Sequence, residues 1–245
     1  MNIRHVALTD PGRRHSENQD SVLALSRNGV SLLAVADGVG GLSEGAAASA
    51  ATIRSLQEGF ERLPEEPAEE VLRSQLSRAN ATLYAEHHGR PGKMSGSTIV
   101  ALVFEKGSVL VAHVGDSRAY LMRNGELRRL TEDHSLVAEQ VRLGILTPEQ
   151  AATSRQRHVI TRSLGVAPTL DVEFDDRLEC RPGDLFLLCS DGLSDVVPEE
   201  DLANMLAGSV QVGRTASELI AAANERGGPD NISVVLARVL GEADD

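Results

Sequence analysis

The sequence contains no tryptophan, and aromatic residues make up only 2% of it, so its core must be built mainly from leucine, valine, isoleucine and alanine. Lysine occurs only twice, and 36 acidic residues outnumber 24 basic ones to give a net charge of −12. This balance argues against general binding to nucleic acid or to anionic membranes, because both need basic patches. It leaves carboxylates available for a divalent cation.

Cysteine is also scarce, since only Cys180 and Cys189 are present among the 245 residues. They form no CxxC motif and lie in or beside apolar segments, which predicts buried, reduced thiols. No apolar run approaches the length that spans a membrane, and no apolar leader segment precedes Asp10. We therefore expect a cytoplasmic protein. No repeat or shift in composition marks a boundary, so we expect one domain over residues 1–240 and a short tail over residues 241–245.

One stretch stands out, the apolar run from residue 31 to residue 36 that is followed by Asp37 and Gly38. Such a run predicts a buried strand. Asn28-Gly29 predicts a hairpin turn that joins this strand to another over residues 22–25. Asp20 then stands at the start of one strand and Asp37 at the end of its antiparallel neighbour. We therefore expect these two carboxylates to lie close together.

Three more aspartates occupy similar places. Asp116 and Asp191 each follow an apolar run, and Asp230 lies just before one. An aspartate at the end of a strand is most often part of a turn. Five at mutually consistent strand ends favour a shared site at one edge of an antiparallel core. Crowded carboxylates repel each other unless cations neutralise them, and oxygen ligands favour Mg²⁺ or Mn²⁺ over zinc. Two such ions would activate a water molecule and bind a phosphoryl group.

The ordered motifs of the chain resemble those of bacterial members of the PP2C-type (PPM) metal-dependent serine/threonine protein phosphatases. The motifs are Asn18-Gln19-Asp20, Ala36-Asp37-Gly38-Val39-Gly40-Gly41, Gly96-Ser97-Thr98, His113-Val114-Gly115-Asp116-Ser117-Arg118, Asp133-His134-Ser135, Thr161-Arg162-Ser163-Leu164-Gly165, Ser190-Asp191-Gly192 and Asp230-Asn231-Ile232. They cover essentially the whole chain in the order typical of the family.

The resemblance implies an α+β fold, a four-layer α-β-β-α sandwich in which two antiparallel sheets are flanked by helix pairs. It implies that Asp37 bridges two Mn²⁺ or Mg²⁺ ions and that the nucleophile is a water molecule bound to them. The remaining assignments are the Gly38 carbonyl as a ligand, Asp191 and Asp230 on the first ion, Asp20 holding a metal-bound water or contacting the site from outside the ligand set, and Asp116 with Asp191 on a third, weaker ion. Residues 135–165 would form the flap beside the active site.

The resemblance also implies phosphoserine and phosphothreonine proteins as substrates, made by a cognate serine/threonine kinase, and we expect a monomer. Two positions depart from the family pattern. His15 stands where an arginine usually binds phosphate, so we expect His15 or one of its neighbours, Arg13 and Arg14, to take that role. Val39 replaces a histidine that is proposed as the general acid in animal members.

Two other functions compete with this interpretation. Gly41-Leu42-Ser43-Glu44-Gly45 matches the G-x-S-x-G pattern of serine esterases, but Ser43 lies six residues beyond Asp37 and is more simply a helix cap. A non-catalytic phosphoprotein-binding module on the same fold would be expected to lack metal-binding acids, and all five are present. Among the histidines, His113 is expected to be a core residue, whereas His134 could organise the flap or make a local hydrogen bond.

Overall fold

A computed structural model describes residues 1–40, 42–87, 95–175 and 177–241. The strands are β1 (Ile3–Asp10), β2 (Asp20–Arg27), β3 (Val30–Gly40), β4 (Ser95–Ser97), β5 (Ile99–Glu105), β6 (Ser108–Val114), β7 (Arg118–Arg123), β8 (Glu126–Arg129), β9 (Glu173–Phe174), β10 (Leu178–Glu179), β11 (Leu185–Cys189) and β12 (Ile232–Val239). The helices are α1 (Leu42–Phe60), α2 (Ala68–His87), α3 (Leu136–Arg142), α4 (Pro148–Ala152), α5 (Asp191–Ser194), α6 (Glu199–Ala207) and α7 (Val212–Glu225).

The strands form two sheets, and adjacent strands within each sheet are antiparallel. The first has the order β1-β12-β11-β7-β8 and the second the order β10-β6-β5-β3-β2, with β4 paired to β3 and β9 paired to β6. Tight turns at Asn28-Gly29, Lys106-Gly107 and Asn124-Gly125 join β2 to β3, β5 to β6 and β7 to β8, and each of these residues has a positive φ. The hairpin predicted at Asn28-Gly29 is therefore confirmed.

Three apolar layers hold the sheets and helices together. The central layer lies between the sheets, where the Phe104 and Phe186 rings meet edge to face with their centroids 5.1 Å apart. In the second layer, α1 and α2 pack on the second sheet, with Leu56 and Leu76 buried in the contact. In the third, α7 packs on the first sheet through Leu219. Burial of this aliphatic surface is the main favourable contribution to folding. The predicted α-β-β-α sandwich is confirmed.

Some local predictions were wrong. β3 does not end at Asp37 but continues to Gly40, because the backbone of residues 38–40 pairs with β4 even after the apolar run has ended. Helix α1 begins at Leu42, so Ser43 lies within the helix rather than before it as a cap. Cys189 is buried as expected, but Cys180 is only half-buried, since it lies beyond the short edge strand β10.

Other predictions fall outside the described residues. These are the position of Gly41 in the glycine-rich motif, the side chain of Ser43, and residues 242–245 of the expected tail. Within the flap, Ser135 caps α3 and Thr147 forms a capping box with Gln150 at the start of α4. None of the helices in the described ranges is long and apolar enough to cross a membrane.

Candidate metal centre

Asp20 and Asp37 lie directly opposite each other in the pairing of β2 with β3, which confirms that they are neighbours. The Thr98 hydroxyl accepts a hydrogen bond of 3.0 Å from the Asp37 backbone N–H, and the Thr98 N–H donates one of 2.8 Å to the Asp37 carbonyl. The same hydroxyl lies 2.8 Å from the Ser117 hydroxyl, beside Asp116. Thr98 thus connects the strand that carries Asp37 to the turn that carries Asp116.

The turn before Asp116 depends on a glycine. Gly115 has a φ of +107°, and a Cβ atom there would lie 2.6 Å from the Thr98 side chain. A larger residue would therefore be strained by its backbone and would collide with Thr98. This turn directs Asp116 away from β6 and towards the other carboxylates.

Asp191 and Asp230 come from the first sheet. Asp191 is the first residue of α5, immediately after Ser190, and this short helix was not predicted. A Cβ atom on Gly192 would lie 2.0 Å from the Asn231 carbonyl oxygen. Because a glycine occupies this position, α5 can pack against the backbone just before β12, and this packing brings Asp191 close to Asp230.

The two sheets are joined at the site by side chains whose roles the sequence did not reveal. The Ser190 hydroxyl donates a 2.7 Å hydrogen bond to Asp20 Oδ2 across the sheets. The Asn231 Oδ1 atom accepts a 2.8 Å hydrogen bond from the Gln19 N–H, and its Nδ2 atom donates to the carbonyls of Pro11 and Glu17. Both residues lie within recognised motifs, but only their contacts identify them as connectors.

The pKa values show that the carboxylates interact. Burial raises the pKa of Asp37 well above its usual range, and the charges of Asp20, Asp191, Asp116 and Asp230 raise it further. Burial, followed by the charge of Asp116, raises the pKa of Asp191 in the same direction. All five aspartates are therefore close enough to form one electrostatic unit.

The two most buried members are shifted as well. Burial raises the pKa of Asp20 to about 6, even though Ser190 donates a hydrogen bond to it. Burial raises the pKa of Asp116 to about 7, and the nearby charge of Asp133 acts in the same direction. Burial and like charges favour the neutral forms of these acids, and a divalent cation would reverse both effects.

The donor atoms fit such a cation. Asp20 Oδ1 and Asp191 Oδ1 are buried and have no hydrogen-bond partner in the described structure. A buried carboxylate oxygen without a partner is costly, because desolvation is not compensated. A set of carboxylate and carbonyl oxygens is the donor set that Mg²⁺ and Mn²⁺ prefer.

The candidate phosphate-binding residues lie at the exposed side of the site. His15 Nε2 is 3.6 Å from Asp230 Oδ1, and the His15 side chain is 36% exposed. Arg13 and Arg14 are exposed, and the Arg13 backbone N–H donates a 2.8 Å hydrogen bond to the Gly228 carbonyl. Of the three, His15 is the residue with a side-chain contact to one of the five aspartates.

The flap reaches the site through a contact that the sequence did not predict. His158 Nδ1 lies 3.1 Å from Asp195 Oδ2. One ligand atom from each of His158, Asp191 and Asp195 lies within 4.8 Å of the others. The flap residue His158 is thereby placed beside Asp191. Asp191 begins α5 and Asp195 follows its last residue. His158 is distant from both in the sequence, so only the fold reveals this cluster.

A second cluster contains His113, His134 and Glu173, and it has a structural role. His134 Nδ1 accepts a 3.1 Å hydrogen bond from the Gly115 N–H, so the neutral ring carries its proton on Nε2 and donates it to Glu173 Oε2 at 3.0 Å. Both ring nitrogens are therefore occupied without a metal. The His134 backbone also accepts from the Thr161 N–H at 2.8 Å. His134 connects the Asp116 turn to the end of the flap.

Comparisons with known proteins agree with this geometry. The family model described as protein phosphatase 2C matches residues 12–226. The serine/threonine phosphatase stp of Listeria welshimeri is 37% identical over 235 residues, which are 93% of this chain and 92% of the relative.

Solved structures are similar over nearly the full chain. The S. agalactiae serine/threonine phosphatase aligns with a TM-score of 0.91 and 34% identity, covering 97% of this chain and 100% of that one. The catalytic domain of the serine/threonine protein phosphatase PstP, in complex with two manganese ions, aligns with a TM-score of 0.85 and 36% identity, covering 98% of this chain and 99% of that one. The chain therefore belongs to the protein phosphatase 2C family of metal-dependent serine/threonine phosphatases.

Proposed function

We propose that this protein hydrolyses phosphoserine and phosphothreonine in proteins, with its five clustered aspartates holding Mn²⁺ or Mg²⁺. One observation carries the proposal. Carboxylates from separate segments of both sheets are gathered at one edge of the sandwich, where burial and mutual repulsion raise the pKa of Asp37 and Asp191 well above the usual range. Such a cluster is unfavourable alone and favourable around cations.

The position of each aspartate suggests its role. Asp37 interacts with the other four, which suits a bridge between two ions. Gly38 follows it, and its backbone carbonyl is the proposed additional ligand. Asp191 and Asp230 would hold the first ion, and Asp116 with Asp191 a third, weaker one. When bound, the ions would lower the pKa of a coordinated water molecule and neutralise charge on the phosphate.

Asp20 has the features of a group that orients the attacking water. Its Oδ2 atom is fixed by the hydrogen bond from Ser190, whereas its Oδ1 atom has no partner and is free to accept a proton. The rigid pairing of β2 with β3 holds this atom beside Asp37. Fixing a nucleophile in this way removes much of the entropic cost of reaction.

Recognition of the phosphate is assigned to His15, with Arg13 and Arg14 as neighbours that add positive charge. A protonated His15 next to Asp230 can donate a hydrogen bond to a phosphate oxygen. The net charge of −12 makes local positive charge at this edge valuable for attracting a phosphorylated protein.

The proposal also includes the source of the substrates, the oligomeric state and the cellular location of the protein. The substrates are phosphoproteins made by a cognate serine/threonine kinase, and the protein works as a monomer in the cytoplasm. The reduced state of both described cysteines is compatible with that compartment.

The proposal is tested with purified protein, p-nitrophenyl phosphate and phosphoserine peptides. Hydrolysis is expected with Mn²⁺ or Mg²⁺ and should disappear in EDTA. A serine-reactive phosphonate should leave the activity unchanged, which would exclude an esterase mechanism through Ser43. Metal-independent activity, or inactivation by the phosphonate, would contradict the proposal.

A further inference from the structure

A cavity of about 930 Å³ lies between the flap and the edge of the first sheet. Its lining includes Asp116 and Asp191, so it opens directly from the carboxylate cluster. It is therefore continuous with the proposed catalytic site. Its size lies at the upper end of about 300–1,000 Å³, the range of pockets that bind small molecules.

Most of the flap residues that line the cavity are apolar. Val137, Val141, Pro148 and Ala151 from α3 and α4 line it, and Leu130 lies after β8 on the sheet side. Val141 is half-buried and Ala151 is buried. This aliphatic surface has no role in binding cations or phosphate, so the proposed chemistry leaves it unexplained.

The opposite side is polar and rigid. Asp133 accepts hydrogen bonds from Arg118 at 3.0 and 2.7 Å and also binds Arg129. Because Asp133 and Arg118 are both largely buried, this network fixes the wall of the cavity. The cavity is thus held between a fixed polar wall and the two flap helices.

Two kinds of group in the lining lack partners among the described residues. The Ser194 hydroxyl is buried and makes no hydrogen bond. Arg142 and Arg157, both on the flap, line the cavity and form no ion pair. The backbone carbonyls of a bound peptide segment could accept hydrogen bonds from Arg142 and Arg157, and the aliphatic wall would accept one of its side chains.

We propose that this cavity binds the segment of the phosphoprotein beside the phosphorylated residue, with an aliphatic side chain of that segment packed against Val141 and Ala151. The proposal rests on the proposed phosphatase function. It gives the enzyme a preference for substrates that carry leucine, isoleucine or valine at one position near the phosphoserine. Burial of such a side chain favours binding, because apolar surface is removed from water.

The test uses a set of phosphoserine peptides in which a single leucine is moved through the flanking positions of an otherwise polar sequence. We expect leucine at one position to increase kcat/KM roughly tenfold over glutamine at the same position. Val141→Asp should abolish that preference and leave hydrolysis of p-nitrophenyl phosphate unchanged, because that compound has no flanking segment. The matched control is Leu143→Asp, since Leu143 lies on the same flap, is 69% exposed and does not line the cavity.

The outcomes separate this proposal from the one on which it rests. If leucine gives no preference at any position, or if Val141→Asp keeps the preference, the cavity does not bind the substrate segment. If neither the peptides nor p-nitrophenyl phosphate are hydrolysed with Mn²⁺, the phosphatase function itself is wrong. Val141→Ala provides a milder change should Val141→Asp fail to fold, and it should reduce the preference without removing it.

Discussion

Asp20 and Asp37 lie opposite each other in adjacent antiparallel strands, at the end of the hairpin away from its turn. Like charges in directly opposed positions destabilise a sheet. Here the repulsion is increased by burial and by three further aspartates. The repulsion therefore destabilises the folded protein without metal, and cation binding would relieve it.

Replacing Asp37 with asparagine should affect stability and activity in opposite directions. Asp37→Asn removes an acid whose ionisation is opposed by burial and by four other aspartates, so the metal-free variant should melt at a higher temperature than the wild type. It should also lose the stabilisation by Mn²⁺ and at least about a hundredfold in activity. Thermal melting with EDTA and with Mn²⁺ measures the first two effects. Asp171→Asn, at an exposed aspartate, serves as the control, and a metal-free Asp37→Asn that is less stable than the wild type would contradict the prediction.

The stability of the metal-free protein should depend on pH in a defined direction. The pKa of Asp116 is about 7 and that of Asp20 about 6 in the folded protein, whereas aspartate in an unfolded chain has a pKa of about 3.9. Between pH 4 and pH 7 the unfolded state therefore loses protons that the folded state keeps, and stability is lost as the pH rises. In EDTA, the melting temperature of the wild type should fall relative to that of Asp116→Asn across this window. If the melting temperatures of the two proteins changed in parallel with pH, the prediction would be contradicted.

His15 should contribute more to phosphate binding than Arg14 does. His15→Ala is expected to raise the KM for p-nitrophenyl phosphate by about tenfold, because a hydrogen bond to a charged group contributes about 1.5–3 kcal/mol. Arg14→Ala should change KM less than twofold, since the Arg14 side chain is exposed and makes no contact with the five aspartates among the described residues. Steady-state kinetics of both variants measure this. The opposite ranking would place phosphate recognition on the arginine.

His134 should position two parts of the site through its hydrogen bonds to Gly115 and Glu173. Two substitutions distinguish these two roles. In His134→Asn the amide oxygen can replace Nδ1 and accept from the Gly115 N–H, but the bond to Glu173 is lost. In His134→Gln the amide can reach Glu173, but the bond to Gly115 is lost. We expect weaker Mn²⁺ binding by calorimetry in the glutamine variant, and faster hydrogen exchange of the Thr161 amide in the asparagine variant. Equal effects of both substitutions on both measurements would indicate a general loss of structure instead.

The local patterns of the sequence predicted the hairpin at Asn28-Gly29 and the neighbouring positions of Asp20 and Asp37, because turn residues and apolar runs determine the pairing of adjacent strands. The four-layer arrangement came from the ordered motifs and not from periodicity. Contacts between distant segments could not be predicted in this way. The hydrogen bond from Ser190 to Asp20 joins residues 170 positions apart, and the approach of His158 to Asp195 depends on how the flap packs.

The end of β3 illustrates the same limit. The apolar run stops before Asp37, but the strand continues to Gly40 because β4 supplies backbone partners. Hydrogen bonding by the backbone is independent of side-chain polarity, so hydrophobic pattern alone places the end of this strand too early.

Crystals of the protein soaked in Mn²⁺ would test the metal centre most directly, through anomalous diffraction measured at the manganese absorption edge. We predict two strong peaks, both in contact with the Asp37 carboxylate, with Asp191 and Asp230 around one of them. A weaker peak is predicted between Asp116 and Asp191. An absence of peaks at this edge of the sandwich, or manganese bound elsewhere while the crystals remain active, would contradict the proposed site.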